Sequence, residues 1–289
     1  MTGRLLATDL DRTLIPNGPE EESPGARALL ARLVAERGLL LAYVTGRRLE
    51  LVERAVREYG LPRPDLVLAD VGSSLYEARG TEWAASAAWA AHLAADWGGR
   101  RSSDLAPLFA EESALRSQEP AAQGEFKLSF HTPLDVDAEA LLARMRDVLA
   151  AAGLAASVVH SVDRAAGVGL VDVLPARSTK LGALQFAMAE RGLGNDEVMF
   201  AGDSGNDLEL LVGPVPAVLV ANAEPDLRAR VLRAATEAGL ADRLHAARGG
   251  LCGMNGNYAA GILEGWVHFH PEDAERLAVL ARAGSEGAR

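Results

Sequence analysis

The stretch ATDLDRTL, residues 7 to 14, places Asp9 and Asp11 one residue apart directly after a short apolar run. Side chains alternate between the two faces of a strand, so this pair and Thr13 are expected to project together from the strand's C-terminal end. Ligands bind at this carboxyl edge in open α/β sheets. Because two adjacent carboxylates repel each other, we expect further groups to hold the pair in place there.

Strand and helix patterns alternate at both ends of the chain. Near the N-terminus, strands are indicated by RLLATD, LLLAYVTG and DLVLAD, and helices by SPGARALLARLVAERG and LELVERAVREYG. We expect Ser23 to cap the first helix and Gly38 and Gly60 to end these two helices. The same alternation returns after residue 175 with TKLGALQFAMAERG, EVMFAGD and PAVLVAN. It predicts a doubly wound, parallel α/β sheet of the Rossmann-like type, formed by residues 1–80 and 175–289.

The middle of the chain has a different pattern. TEWAASAAWAAHLAADWGG predicts an alanine-rich helix, and strands are predicted for EFKLSFHT, AASVVHS and GVGLVDVL. We interpret residues 81–174 as an inserted α+β domain. Trp83, Trp89 and Trp97 are expected to pack against a sheet, and the lining of a ligand pocket is the alternative.

Composition and charge limit the partners. The 289 residues include 29 Lys and Arg against 40 Asp and Glu, a net charge of −11, which argues against nucleic acid and anionic membranes as partners. The first ten residues lack the features of a signal peptide, and no apolar run approaches the roughly 18 residues of a membrane span. We therefore expect a cytoplasmic protein, and both a monomer and a small homo-oligomer are compatible with the sequence.

Three further segments bring polar residues to the same predicted edge. YVTGRR ends the second strand with Thr45 and Gly46, whose hydroxyl and backbone amides suit phosphate oxygens. RSTK places Lys180 at a helix start, and AGDSGNDLEL ends a later strand with Asp203 and Asp207 in a glycine turn. Carboxylates clustered around a single expected counter-charge, Lys180, suit a hard cation such as Mg²⁺.

Taken in order, these motifs resemble those of the haloacid dehalogenase superfamily of phosphohydrolases. They are D-x-D-x-T at residues 9–13, Thr45, Lys180 and GDSGND at residues 202–207. The insertion lies after Arg47, a position that resembles the sucrose-phosphate phosphatase branch, as do KLSF, VDVLPARSTK, VANAEPDL and GNYAAGILEGWVHF. The resemblance implies a Mg²⁺-dependent phosphatase that hydrolyses a phosphorylated sugar or glycoside through an aspartyl-phosphate. It also implies that residues 81–174 form the cap domain that selects the substrate.

The resemblance also implies roles for the matching residues. Asp9 is the expected nucleophile, Asp11 the general acid and base, which must be protonated when substrate binds, and Lys180 stabilises the developing charge. The expected metal site comprises Asp9, the backbone carbonyl of Asp11, Asp203 and Asp207. The expected substrate-binding residues are Thr45, Gly46, Arg47, Lys127 and Asn206.

Several alternatives stay open at this point. Lys127 and Ser129 form a polar strand face that suits sugar hydroxyls, but an ordinary half-exposed strand has the same pattern. Arg47 at a helix start is also typical of a solvated surface. For the whole protein, the alternatives are a broad-specificity sugar-phosphate phosphatase, a phosphotransferase or mutase with the same intermediate, and a metal- or sugar-phosphate-binding module without catalysis. The position of the insertion argues against the mutase, and the paired nucleophile and acid argue against the binding module.

Overall fold

The strands form two sheets in the computed structural model, which describes residues 3–163 and 166–286. In chain order, the strands are β1 (Leu5–Thr8), β2 (Leu40–Val44), β3 (Leu66–Ala69), β4 (Ser74–Arg79), β5 (Glu82–Ala85), β6 (Arg116–Ser117), β7 (Leu128–Thr132), β8 (Ala156–Asp163), β9 (Val168–Pro175), β10 (Val198–Gly202), β11 (Ala217–Leu219) and β12 (Leu244–Ala246).

The helices pack on both faces of the larger sheet, and a helix also packs against the smaller sheet. In chain order, they are α1 (Ala26–Arg37), α2 (Leu49–Tyr59), α3 (Ala87–Ala94), α4 (Ser102–Leu105), α5 (Ala138–Ala151), α6 (Lys180–Arg191), α7 (Leu208–Leu211), α8 (Pro225–Glu237), α9 (Ala259–Phe269) and α10 (Ala274–Glu286). Within the described residues, none of these helices has the length and apolar character needed to span a bilayer.

The larger sheet, called the core sheet here, has the strand order β12-β11-β10-β1-β2-β3-β4-β5 over the described residues. β1 pairs in parallel with β2 on one side and with β10 on the other. The chain runs from β1 to β3 in one direction and from β10 to β12 in the other, so the strand order reverses between β1 and β10. This arrangement confirms the predicted doubly wound sheet, and such a reversal point is where ligands bind in this class of fold.

Successive residues of β1 face opposite layers of helices. Leu5 and Ala7 pack into the layer that contains α6 and α8, whereas Leu6 packs into the layer of α1, α2, α9 and α10. All of them are fully buried. Burial of one leucine side chain contributes about 1.5–3 kcal/mol, so the apolar run before Asp9 fixes β1 in the centre of the sheet.

The core sheet ends in an antiparallel hairpin that the sequence patterns did not predict. β4 pairs with β3, β5 pairs with β4, and Gly80 lies in the turn with a φ of 59°. The predicted helix is therefore wrong at its start, because Glu82–Ala85 is a strand and α3 begins at Ala87. The expected cap boundary at residue 81 falls within this hairpin, and we propose that the cap begins after Ala85.

Trp83 gives the physical reason for this difference. Its indole N–H donates to Glu53 at 3.1 Å, and the Arg63 guanidinium lies 4.9 Å from the ring centre. These tertiary contacts and the pairing with β4 override the helix preference of the neighbouring alanines. Trp89 and Trp97 are 1% and 0% exposed, as expected for packing residues.

The smaller sheet, called the cap sheet here, has the order β6-β7-β9-β8 with antiparallel pairs. Leu128 in β7 lies opposite Val173 in β9, and Ser129 lies opposite Asp172. α5 contacts β8. This unit confirms the predicted α+β insertion.

The helix ends were predicted better than the first helix start. Gly38 and Gly60 end α1 and α2 in the left-handed conformation, with φ of 58° and 60°. The predicted cap at Ser23 is wrong, because α1 begins at Ala26 and follows a left-handed Gly25. The Ser23 hydroxyl instead donates to Asn255 Oδ1 at 2.7 Å.

Candidate active site

Two neighbouring strands of the core sheet end in carboxylates. Asp9 follows β1 and Asp203 follows β10, and each residue is 4% exposed. The backbone N–H of Asp9 donates to the carbonyl of Ala201 at 2.9 Å, which continues the pairing of the two strands. The two carboxylates therefore lie together at the point where the strand order reverses.

Asp207 joins them through the tight turn after β10. Its Oδ2 accepts from the backbone N–H groups of Asp203 and Ser204 at 3.3 and 3.2 Å. A Cβ on Gly202 would lie 2.8 Å from this oxygen, so the position requires a residue without a side chain. As a result, Asp9, Asp203 and Asp207 each present one carboxylate oxygen within 4.8 Å of the others.

Lys180 lies among these carboxylates and is 3% exposed. Its Nζ lies 3.1 Å from Asp9 Oδ1 and 2.7 Å from Asp207 Oδ1, and it donates to Asn206 Oδ1 at 3.1 Å. Lys180 is the first residue of α6, as the sequence predicted, and the Thr179 hydroxyl caps this helix. The helix start therefore aims the ammonium group at the ends of β1 and β10.

Gly72 supports this helix start from the loop after β3. Its φ is 90°, and a Cβ there would clash with the backbone carbonyl of Thr179. The indole N–H of Trp89 donates to the Gly72 carbonyl at 3.0 Å. Close packing of this loop against Thr179 fixes the residue that precedes Lys180.

The cluster holds more negative charge than Lys180 balances. Burial raises the pKa of Asp9 to about 7, with Lys180 opposing the shift, and burial raises the pKa of Asp203 to about 6. Burial lowers the pKa of Lys180, but the Asp9 and Asp207 carboxylates outweigh it and the net shift is upward. A dense set of carboxylate oxygens with excess negative charge fits a hard divalent cation, so Asp9, Asp203 and Asp207 could together hold Mg²⁺.

Arg12 is a second cation beside the cluster, so the expectation of Lys180 as the single counter-charge is wrong. Arg12 Nε lies 3.5 Å from Asp203 Oδ2, and the Thr13 hydroxyl donates to Asp203 Oδ1 at 3.0 Å. The D-x-D-x-T motif gave no reason to assign a function to the residue between Asp11 and Thr13. The contact depends on the chain turning sharply there, which no local pattern predicted.

The Asp11 side chain points to the rim of the site. It is 42% exposed and accepts two hydrogen bonds from Arg47, at 2.8 Å from Nε and 2.5 Å from Nη2. Asn17 donates to the same carboxylate at 2.6 Å. Burial raises the pKa of Asp11, but the Arg47 hydrogen bonds and charge lower it more. This arrangement stabilises the ionised form of Asp11, not the protonated form expected of a general acid. It also engages the guanidinium of Arg47, which was expected to bind substrate.

Thr45 and Gly46 follow β2 at the same edge. The Thr45 N–H donates to the Leu68 carbonyl at 2.9 Å. Contrary to the expectation, this amide is therefore not free to bind phosphate. Thr45 Oγ1 accepts from the backbone N–H of Arg47 at 3.2 Å, which leaves its hydroxyl proton for another acceptor. Gly46 is exposed to solvent.

Lys127 lies directly before β7 in the cap. Its Nζ is 3.7 Å from Asp172 Oδ2, and its side chain is 16% exposed. Ser129, expected on the same polar face, is fully buried, and its hydroxyl donates to Asp172 Oδ1 at 2.6 Å. For Ser129, the ordinary strand is therefore favoured over the sugar-binding face, because its hydroxyl bonds within the cap sheet.

A cleft of about 240 Å³ separates the core loop after β3 from the cap loop before β7. The core contributes Arg48 and Asp70 to its walls, and the cap contributes Gln123 and Phe126. Burial raises the pKa of Asp70, while Lys127 acts on the same carboxyl in the opposite direction. Sequence reasoning missed Asp70, although its place at the end of the DLVLAD strand pattern was a usable signal.

Comparison with known proteins identifies the family. The family model for sucrose-6F-phosphate phosphohydrolase matches residues 2–270, so the chain belongs to this family and to the haloacid dehalogenase superfamily. A HAD-like hydrolase of Nitrosococcus oceani is 44% identical over 268 residues, 93% of this chain and 72% of that protein. This membership confirms the predicted class of enzyme, a phosphoric monoester hydrolase.

Two further relatives carry specific names. The mannosylfructose-phosphate phosphatase of Agrobacterium fabrum is 29% identical over 225 residues, 78% of this chain and 85% of that protein. The sucrose-phosphatase of Synechocystis, solved with sucrose and phosphate, superposes with a TM-score of 0.70 at 27% identity. That superposition covers 93% of this chain and 99% of the Synechocystis chain.

We predict that Mg²⁺ raises the melting temperature of the metal-free protein. A ligand that binds only the folded state stabilises it by about 2.7 kcal/mol at a hundredfold excess over its dissociation constant. Asp203→Asn should reduce this rise strongly, whereas Asp242→Asn, an exposed residue outside the cluster, should leave it unchanged. Thermal unfolding at fixed pH measures both, and an equal rise in the two variants would contradict the metal assignment.

We also predict that Gly202→Ala destabilises the protein by about 1–3 kcal/mol, the usual cost of overpacking. The new methyl group would push Asp207 away from Lys180, so Mg²⁺ affinity should fall as well. Gly194→Ala is the matched control, because Gly194 has a φ of −82° and its nearest atom to a new Cβ lies 3.7 Å away. Chemical denaturation should show a clear loss for the first variant only.

Proposed function

We propose that this protein is a Mg²⁺-dependent phosphatase that hydrolyses a phosphorylated sugar or glycoside through an aspartyl-phosphate. The observation that carries the proposal is the Asp9 carboxylate, buried at the end of β1 with Lys180 Nζ at 3.1 Å. Family membership and relatives named as phosphatases of mannosylfructose phosphate and sucrose phosphate support a sugar phosphate as substrate.

In the proposed reaction, Asp9 is the nucleophile. A bond forms between an Asp9 oxygen and phosphorus as the bond from phosphorus to the sugar oxygen breaks. Lys180 opposes the effect of burial on the pKa of Asp9 and stabilises charge on the phosphoryl group. Asp9, Asp203 and Asp207 would hold Mg²⁺, which supplies charge neutralisation between the carboxylates and the phosphate.

Asp11 is the proposed general acid and base. It gives a proton to the departing sugar oxygen and then removes one from the water that splits the aspartyl-phosphate, which restores Asp9. In the structure Arg47 keeps Asp11 ionised. We infer that the substrate phosphate competes for Arg47, because guanidinium groups bind phosphate and carboxylate with the same paired geometry. Loss of that partner raises the pKa of Asp11 and lets it take up the proton.

The sugar is proposed to lie in the cleft between the core and cap loops. Arg48 follows Arg47 in sequence and lines this cleft, which supports a position for the sugar near the proposed phosphate position. Asp70 lies in the wall of this cleft, and Lys127 is close enough to act on its carboxyl. Opposite charges in this region suit hydroxyl groups that can both donate and accept. Specificity would then come from the core loop as well as from the cap.

Release of inorganic phosphate from a panel of phosphorylated sugars, with Mg²⁺ present, tests the proposal. We expect activity on disaccharide or glycoside phosphates and its loss in Asp9→Asn, which keeps the shape of the side chain and loses the nucleophile. Binding of the substrate should survive in that variant. A rate within about tenfold of wild type would show that Asp9 is not the nucleophile, since nucleophile removal ordinarily costs far more.

The same assay separates hydrolysis from transfer. With an added acceptor alcohol, a phosphatase releases phosphate at the rate at which the sugar phosphate disappears. A phosphotransferase or mutase instead forms a new phosphate ester, which product analysis with a labelled acceptor detects.

Lys127→Ala is expected to weaken transition-state binding of the preferred sugar phosphate by about 1–3 kcal/mol, the cost of losing a polar contact to a charged group. A small aryl phosphate, which does not reach the cap, should be hydrolysed nearly as before. Arg146→Ala is the matched control, because it removes a cation from an exposed position of α5. Equal losses on the two substrates, or none on either, would refute a role of Lys127 in specificity.

A further inference from the structure

Arg12 adopts a left-handed backbone conformation, with a φ of 57°. The turn sends the Asp11 side chain towards Arg47 on one side and the Thr13 hydroxyl to Asp203 on the other. A residue with a Cβ does not favour this conformation, so it persists only where its surroundings hold it. The geometry of both flanking residues therefore depends on what holds Arg12.

Two asparagine side chains hold the peptide groups of Arg12. Asn17 Oδ1 accepts from the Arg12 N–H at 2.8 Å, and Asn222 Nδ2 donates to the Arg12 carbonyl at 2.6 Å. Asn222 is 5% exposed, and its Oδ1 accepts from the backbone N–H of Tyr258 at 2.9 Å. The Asn222 amide is thus fixed by Tyr258 at its oxygen and donates to the Arg12 carbonyl from its nitrogen.

These contacts explain two segments whose sequence suggested no chemical role. Asn222 lies in VANAEPDL, directly after β11, and Tyr258 lies in GNYAAGILEGWVHF, directly before α9. Neither residue belongs to the carboxylate cluster. Both segments nevertheless reach the loop after β1, because β11 and α9 pack beside the end of β10.

We propose that Asn222 is a positioning residue for the reaction, acting through the backbone of Arg12. By holding the Arg12 carbonyl, it keeps the turn left-handed and so sets Asp11 and Thr13 at the two sides of the site. The reaction itself rests on the proposed phosphatase function. Asn222 needs no contact with the substrate for this role.

The Arg12 side chain makes contacts of its own, and an experiment has to separate their effect from that of the backbone conformation. Its guanidinium contacts Asp203, and its Nη2 donates to the Asn222 carbonyl at 3.2 Å. Arg12→Ala removes the charge and keeps the Cβ, whereas Arg12→Gly removes both. Glycine adopts the left-handed conformation without steric cost. The Arg12→Ala variant therefore depends on Asn222 to hold the turn, whereas the Arg12→Gly variant does not.

The experiment combines Asn222→Ala with each of these changes. kcat and KM are measured with an aryl phosphate and Mg²⁺, and Mg²⁺ affinity is measured by calorimetry without substrate. We expect Asn222→Ala to lower kcat about tenfold with little change in KM, as for a loss confined to the transition state. In the Asn222→Ala background, Arg12→Gly should be about tenfold faster than Arg12→Ala, since only glycine meets no penalty at positive φ. With Asn222 present, Arg12→Gly and Arg12→Ala should have similar kcat values. The Mg²⁺ affinities of the variants should follow the same order as their kcat values.

Equal kcat values and equal Mg²⁺ affinities for the two folded double variants would overturn the proposal and leave Asn222 as a packing residue. If Asn222→Ala does not unfold cooperatively, Asn222→Asp replaces it, because aspartate can still accept from Tyr258 but has no N–H for Arg12. Wild-type kcat in that variant would also overturn the proposal. A wild-type protein that binds Mg²⁺ without hydrolysing any phosphate ester would refute the proposed function, and the order of Mg²⁺ affinities would then decide the role of Asn222.

Discussion

The ammonium group of Lys180 has to be buried against Asp9 and Asp207, and much of the surrounding structure serves this contact. A buried ion pair compensates its loss of hydration only when its geometry is good and its remaining hydrogen bonds are made. Asn206 supplies one such bond to Lys180. Gly202 leaves room for the Asp207 carboxylate. The parallel pairing of β1 with β10 brings the turn that carries Asp207 next to Asp9. The reversal of strand order therefore gives the site its position, and the ion pairs give it its detailed shape.

The residues predicted from sequence are those whose position follows from local pattern. Asp9, Thr45 and Asp203 each follow an apolar run that forms a buried strand, and parallel strands place their carboxyl ends at one edge. Lys180 was predicted because a helix start is also a local feature. Asp207 followed from the glycine turn, although the requirement for Gly202 became visible only through the close approach of the carboxylate.

The parts that the sequence did not predict depend on contacts between distant positions. Arg12 and Asn222 are 210 residues apart in the chain, and neither lies in a periodic segment that would predict their hydrogen bond. The β4–β5 hairpin was missed for a related reason. The alanines around Trp83 favour a helix locally, but pairing with β4 and packing against Glu53 and Arg63 decide the outcome.

The two carboxylates of the D-x-D motif lie in opposite environments. Burial raises the pKa of Asp9, whereas the Arg47 pair lowers that of Asp11. The proposed roles require the reverse order, with the nucleophile ionised and the acid protonated. A cation beside Asp9 lowers its pKa, and a phosphate group that draws Arg47 away raises that of Asp11, because nearby charges shift ionisation in these directions. The ligands would thus establish the reactive protonation pattern themselves, and the protein would adopt it only when its site is filled.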